Sequence, residues 1–199
     1  NVLGEWNEVA KLTSSDLQAG DNFGWSVDVD GDRVVISARQ EDGPGDAIPN
    51  AGAAYIFERD ELGSWNEVTK VVASDAQPGD EFGFSVSLSG DRIVVGANFE
   101  DGGEGDPAVD AGAAYVFEET DPGQWTQVAR LAAIDAESGD WFGAVVSIDG
   151  TVATVGALFE DGGPGDPWTD SGSAYVFKEL ADESWTTFTK LVASDAQTG

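Results

Sequence analysis

The 199 residues include 38 Asp and Glu against 9 Lys and Arg, a net charge of −29, and no His, Cys or Met. Such a field repels nucleic acid and anionic membrane, and without His or Cys the usual zinc, iron–sulfur and general-base chemistries lose their residues. With 41% hydrophobic residues a packed core is within reach, and no run of roughly 18 apolar residues marks a membrane span.

The chain repeats itself with a period of about 60 residues. Trp6, Trp65, Trp125 and Trp185 keep that step, as do Phe23-Gly24, Phe82-Gly83 and Phe142-Gly143, and Tyr55, Tyr115 and Tyr175. A fixed period of this size means a unit that cannot bury its apolar face alone and must stack on its own copies. From the N-terminus, residues 1–23 read as the last strand of a preceding unit and its linker. Residues 24–82, 83–142 and 143–199 then read as three units, the last cut off inside its following linker.

The middle copy shows the pattern in chain order. Phe84 to Ser89 alternates apolar and polar residues, the period of a half-buried strand. Gly90-Asp91 is a two-residue turn in which Gly supplies the positive φ, and the β-branched run Arg92 to Ala97 completes a hairpin. An acidic, Gly-rich loop covers Asn98 to Gly112, Ala113 to Glu118 is a third strand, and Thr120 to Gly123 is a turn. Trp125 to Leu131 is a fourth strand, followed by a linker over Asp135 to Gly143. No stretch keeps helical periodicity for more than a turn. The expected fold is all-β: three four-stranded antiparallel blades of β-propeller type, plus an extra blade strand at the N-terminus, with the ring not closed within this chain. The repeated Trp and the Tyr-x-Phe pairs are expected to fill the gaps between neighbouring sheets.

These motifs (GDNFGWSV, GDEFGFSV and GDWFGAVV, each followed by GAAYIF, GAAYVF or GSAYVF) resemble the FG-GAP repeat, over essentially the whole chain. The resemblance implies propeller blades in a secreted or cell-surface protein serving adhesion, ligand recognition or display. Two departures qualify it. Integrin-like copies enlarge the first hairpin turn into a calcium loop, whereas here the turns are only Asp30-Gly31-Asp32, Ser89-Gly90-Asp91 and Asp149-Gly150-Thr151, so that site is not carried over. Three complete blades are also fewer than the four to eight that typically close a ring.

The acidic loops are the candidate metal sites: Glu41, Asp42 and Asp46; Glu100, Asp101, Asp106 and Asp110; and Glu160, Asp161, Asp166 and Asp170. Calcium takes six to eight oxygens from carboxylates and from carbonyls freed by irregular turns. The competing reading is a surface loop whose Gly and Pro only turn the chain. The first copy is shorter and has Asn50 where the others have Asp, so its site should be weakest. Asp16, Asp75, Asp135 and Asp195, and also Asp21, Asp80 and Asp140, read as turn acids accepting backbone hydrogen bonds.

Trp141, Trp168 and Trp25 break the repeat, and Trp141 and Trp168 are the candidate contacts for a glycan or an extracellular protein. The functional expectation is a non-enzymatic extracellular protein for adhesion, surface display or structural assembly, calcium-supported, in a high-salt setting where screening removes self-repulsion. Its expected partners are other copies of itself or flanking repeats, as a closed oligomer or a filament. The alternative is an accessory propeller domain of a secreted enzyme such as a glycoside hydrolase. Against catalysis by this segment, its acids recur by symmetry, whereas catalysis needs one asymmetric pair with one raised pKa. The chain reads as a segment of a longer array, with any targeting signal upstream.

Overall fold

The computed structural model describes residues 6–16, 18–43, 45–101, 108–161 and 170–194. These residues form strands and turns, with no helix among them. The first sheet holds β1 (Phe23–Asp30), β2 (Arg33–Ala38), β3 (Ala53–Arg59) and β4 (Trp65–Val71). The second holds β5 (Ser85–Ser89), β6 (Arg92–Ala97), β7 (Ala113–Asp121) and β8 (Gln124–Leu131). The third holds β9 (Phe142–Asp149), β10 (Val152–Ala157), β11 (Ser173–Glu179) and β12 (Trp185–Leu191). Each sheet is an antiparallel meander in sequence order. The opening hairpins pair Asp30 with Arg33, Ser89 with Arg92 and Asp149 with Val152, around two-residue turns led by Gly31, Gly90 and Gly150 at positive φ.

The sheets stack as propeller-type blades. Alternation along β3 sends Ala54 and Ile56 to one face and Ala53, Tyr55 and Phe57 to the other. Val35, Ile56 and Val71 of blade 1 therefore meet Val86, Leu88, Ile93, Val95 and Tyr115 of blade 2 in one buried cluster. Val94, Val116 and Leu131 of blade 2 meet Val146, Ile148, Val155 and Tyr175 of blade 3 in the next. Burying each such side chain contributes about 1.5–3 kcal/mol. The Phe of each Phe-Gly pair packs on its own blade's Tyr-x-Phe, as Phe82 does on Tyr115 at 5.5 Å and Phe117 at 5.9 Å. Trp125 and Trp185 lie half-buried against the clusters between blades, the expected packing role, whereas Trp65 lies against the Tyr55 and Phe57 face of blade 1, a cluster to which no second sheet contributes.

The inner strands β1, β5 and β9 lie side by side while the outer strands splay. Each inner strand is a sheet edge, whose free N–H groups need acceptors. The preceding blade supplies them through side chains. Val86, Leu88 and Gly90 donate from their backbone N–H to Ser26 Oγ (3.2 Å), Asp28 Oδ2 (2.8 Å) and Asp30 Oδ2 (2.8 Å). Ile148 and Gly150 donate in the same way to Ser87 Oγ (3.2 Å) and Ser89 Oγ (3.1 Å). The polar half of the strand alternation is thus the glue between blades.

The N-terminal strand differs from expectation. Residues 6–14 join no sheet, although Trp6 to Leu12 nearly copies β4 in sequence, and Trp6 is fully exposed and fills no gap between sheets. A fourth strand needs the ladder that β3 gives β4, and β3, β7 and β11 are each already paired on both sides. The end of the segment is held: Leu12 packs against the cluster of Ile36, Ala38, Ala53, Tyr55 and Phe57, and Ser15 donates to Glu67 at 2.8 Å from both N–H and Oγ.

Candidate functional site

The acidic loops open on a Glu that the fold itself uses. Glu41, Glu100 and Glu160 follow β2, β6 and β10 and are almost wholly buried. Lys70 on β4 donates to Glu41 at 2.5 Å and to Asp16 at 2.7 Å, and Tyr55 donates its hydroxyl to Asp16 at 2.8 Å. In blade 3, Lys190 reaches Glu160 at 2.7 Å and Asp135 at 2.8 Å, and Tyr175 donates to Asp135 at 2.7 Å. In blade 2, Arg130 replaces the lysine, donating to Glu100 at 2.5 Å, with its Nε 3.4 Å from Asp75. Burial pushes the Asp16 and Asp135 carboxyls up, but hydrogen bonds from the lysine and the tyrosine outweigh it and hold both below the ordinary range. Burial also raises the three tyrosines, reinforced by these carboxylates.

The second loop acid clasps the loop shut. Asp42, Asp101 and Asp161 accept through Oδ1 from the backbone N–H of Asn50 (2.9 Å), Asp110 (3.0 Å) and Asp170 (2.6 Å). Asn50, Asp110 and Asp170 all have φ near +55°, the left-handed region that Asn and Asp tolerate best. Burial and the Asp101 charge raise the Asp110 pKa. Asp46, also at positive φ, accepts from Gln18 Nε2 at 2.6 Å. Asp106, Asp166 and Trp168 lie outside the described residues. Among the described residues, no three Asp or Glu converge into a group that could hold a metal ion.

Beside these loops the linker acids Asp21, Asp80 and Asp140 are buried and accept from the backbone N–H three residues earlier, each at 2.7 Å. This is the expected turn role. Burial first, then the charges of Glu100, Asp101 and Asp75, pushes Asp80 up to about 7 against the stabilising Gln77 N–H. Asp140 rises to about 6 for the same reasons, with Glu160, Glu137 and Asp161 as its neighbours.

On the same face, repeat-breaking aromatics form one strip across both blade boundaries. Ring centroids run Trp25–Phe84 5.8 Å, Phe84–Phe99 6.2 Å, Phe99–Trp141 5.0 Å and Trp141–Phe159 4.7 Å, mostly edge to face. The backbone carbonyl of the loop residue Asp110 accepts the Trp141 backbone N–H at 3.3 Å, and that of Asp140 accepts the Phe159 backbone N–H at 3.2 Å, so strip and loops are joined. Arg39 lies 3.8 Å over the Trp25 ring and is ion-paired with Glu81. The structure links Trp25 to Trp141 through Phe84 and Phe99 and extends the strip to Phe159; sequence reasoning missed Phe99 and Phe159. Their signal was present: the slot holds Gln40 in the first copy and Phe in the other two.

Among curated proteins no relative matches the chain. Among solved structures, a hypothetical selenium-binding protein from Sulfolobus tokodaii is similar, with a TM-score of 0.48 and 7% identity. The likeness covers 83% of this chain but only 39% of that one. The FG-GAP repeat family matches at residues 6–57, 65–117 and 125–177, each match running from the repeated Trp to the Phe of Tyr-x-Phe, and the chain belongs to that family.

Proposed function

We propose that the chain is a non-catalytic extracellular module that works by stacking, for adhesion, surface display or structural assembly. One observation carries this reading: its two end faces offer what the internal blade contacts bury. Val27 and Val29 are 61% and 62% exposed, whereas their counterparts Val86 and Leu88 are 7% and 5% exposed. At the other end Leu191 is 53% exposed, against 3% for Leu131. The polar pattern continues as well. Ser147 and Asp149 stand exposed in the acceptor slots of blade 3, and among the described residues the Val29 N–H of blade 1 is met by its neighbour Asp28 alone, at 2.8 Å. The surfaces suit a further repeat or another copy of the chain. The loop Glu residues, matched to Lys or Arg in every blade, support a structural reading over a catalytic one.

Sedimentation velocity over a concentration series tests this. Concentration-dependent assembly, lost in Val29→Asp and in Leu191→Asp, is expected; a discrete monomer throughout would sink the reading. Calcium enters only as support for the loops, through Asp42, Asp46, Asp101, Asp106, Asp110, Asp161, Asp166 and Asp170. Melting at matched ionic strength checks it: calcium should raise Tm more than magnesium does, and equal shifts leave screening alone.

A further inference from the structure

We propose that the strip formed by Phe84, Phe99, Trp141 and Phe159 is a docking surface for an arginine-bearing, cationic segment of a partner protein. Arg39 lies 3.8 Å over the Trp25 ring and 5.7 Å from that of Phe84, with the Glu81 carboxylate closing the pair. The first blade boundary therefore already binds a guanidinium between aromatic rings and an acid, the arrangement in which cation–π attraction is strongest.

One blade on, the same slots are filled differently. Phe84 stands where Trp25 stood, Trp141 replaces Glu81, and Asn98 replaces Arg39. Ala144 takes the slot that Phe84 held, Phe99 and Trp141 supply rings instead, and the internal cation is gone. Asn98 is fully buried, and among the described residues neither its Nδ2 nor its Oδ1 has a hydrogen-bond partner. Such an orphaned amide costs stability unless something satisfies it. Acidic residues adjoin the strip: the Asp110 backbone carbonyl accepts the Trp141 backbone N–H, and the Asp101 carboxylate accepts the Asp110 N–H. Burial first, then the Asp101 charge, disfavours ionisation of Asp110, and an incoming cation would relieve the charge repulsion. The chain's net charge of −29 steers cations toward it from any direction, and the strip selects among them. A planar guanidinium stacks on these rings better than a compact, strongly hydrated ammonium.

The probe is the peptide acetyl-Arg-Ser-Arg-Ser-Arg-Ser-Arg-amide, with its Lys-for-Arg and Gln-for-Arg counterparts, titrated calorimetrically at low and high salt. The Arg peptide should bind several-fold more tightly than the Lys peptide, with the preference surviving high salt, because cation–π contact is screened less than surface charge. Trp141→Leu and the double variant Asp101→Asn/Asp110→Asn should each weaken it about tenfold. The near-isosteric pair keeps the loop clasp, so it answers even where the Trp variant folds poorly. The control Glu8→Gln/Glu61→Gln removes the same charge from exposed sites elsewhere and should leave affinity unchanged. Equal weakening by the control, equal affinity for the Arg and Lys peptides, or no binding would each overturn the proposal.

Discussion

Gly52 lies so close to the next blade that a Cβ there would stand 2.0 Å from the Phe82 carbonyl oxygen. Gly112 stands in the same relation to Phe142, and both glycines form parallel bridges to those Phe residues. The Phe-Gly and Gly-Ala elements of the repeat are thus two sides of one backbone-to-backbone contact between consecutive blades. Both glycines also sit at positive φ, 86° and 87°. Substituting either combines backbone strain with an overlap that no flexible side chain can relieve. Gly52→Ala and Gly112→Ala should each destabilise by about 3 kcal/mol or more. Gly63→Ala, at the same φ but facing open space, should cost about 1 kcal/mol. Urea unfolding of the three variants checks this, and equal losses would show that φ alone, and not the blade contact, demands glycine.

The buried Glu–Lys–Asp–Tyr networks should behave as coupled units. Lys70→Met strands Glu41 and Asp16 without their cation, and breaking a buried pair on one side costs about 3–5 kcal/mol. Removing the charge from both sides, in Lys70→Met/Glu41→Gln, should restore part of that loss. A double-mutant cycle by chemical denaturation measures the coupling, and additive losses would show that Lys70 and Glu41 do not act together.

Asp80 sets a pH dependence of the opposite sign to the ion-paired acids. Its folded pKa of about 7 lies above the ordinary aspartate value, so the folded state binds the proton more tightly than the unfolded one. Stability should therefore fall as pH rises from about 4 to about 7 and level off above that. Asp80→Asn keeps an acceptor for the Gln77 N–H but cannot ionise. It should flatten that slope and add about 1–2 kcal/mol at pH 8. Asp16 and Asp135, held below the ordinary value, contribute stability that is present above about pH 4 and lost on acidification below it. Denaturation midpoints from pH 3 to pH 8 in wild type and Asp80→Asn separate the two effects.

The blades were legible in the sequence because their signals are local. Gly90-Asp91 between alternating and β-branched runs specifies a hairpin wherever it stands, and Tyr-x-Phe with Phe-Gly marks one packed face. The networks were hidden because their members come from distant segments: Lys70 and Asp16 are 54 residues apart, and only folding shows that the first loop Glu meets them. The exchange of Asn50 for Asp110 and Asp170 looks like a lost ligand in sequence. In the structure it exchanges the two non-glycine residues that a left-handed backbone tolerates best. Trp6 misleads for the converse reason: its motif is intact, but no β3-type strand is free to receive it.

The inner-edge ladder gives an internal comparison between an occupied slot and a bare one. Asp28 accepts from the Leu88 N–H at 2.8 Å and the Ser87 hydroxyl at 3.1 Å across the blade boundary. Asp28→Ala strands a buried edge N–H and should cost about 1–3 kcal/mol. Asp28→Asn retains one acceptor oxygen and should cost less. Ser147 holds the same slot on blade 3, where it is exposed and accepts nothing from another blade among the described residues. Ser147→Ala should therefore change the stability of the dilute chain by less than about 0.5 kcal/mol. At concentrations where chains assemble, the same substitution should weaken association, since the slot then has a donor to meet. Unfolding at low concentration and sedimentation at high concentration check both halves. A large loss for Ser147→Ala in dilute monomer would mean that the inner strands draw their stability from something other than contact between blades.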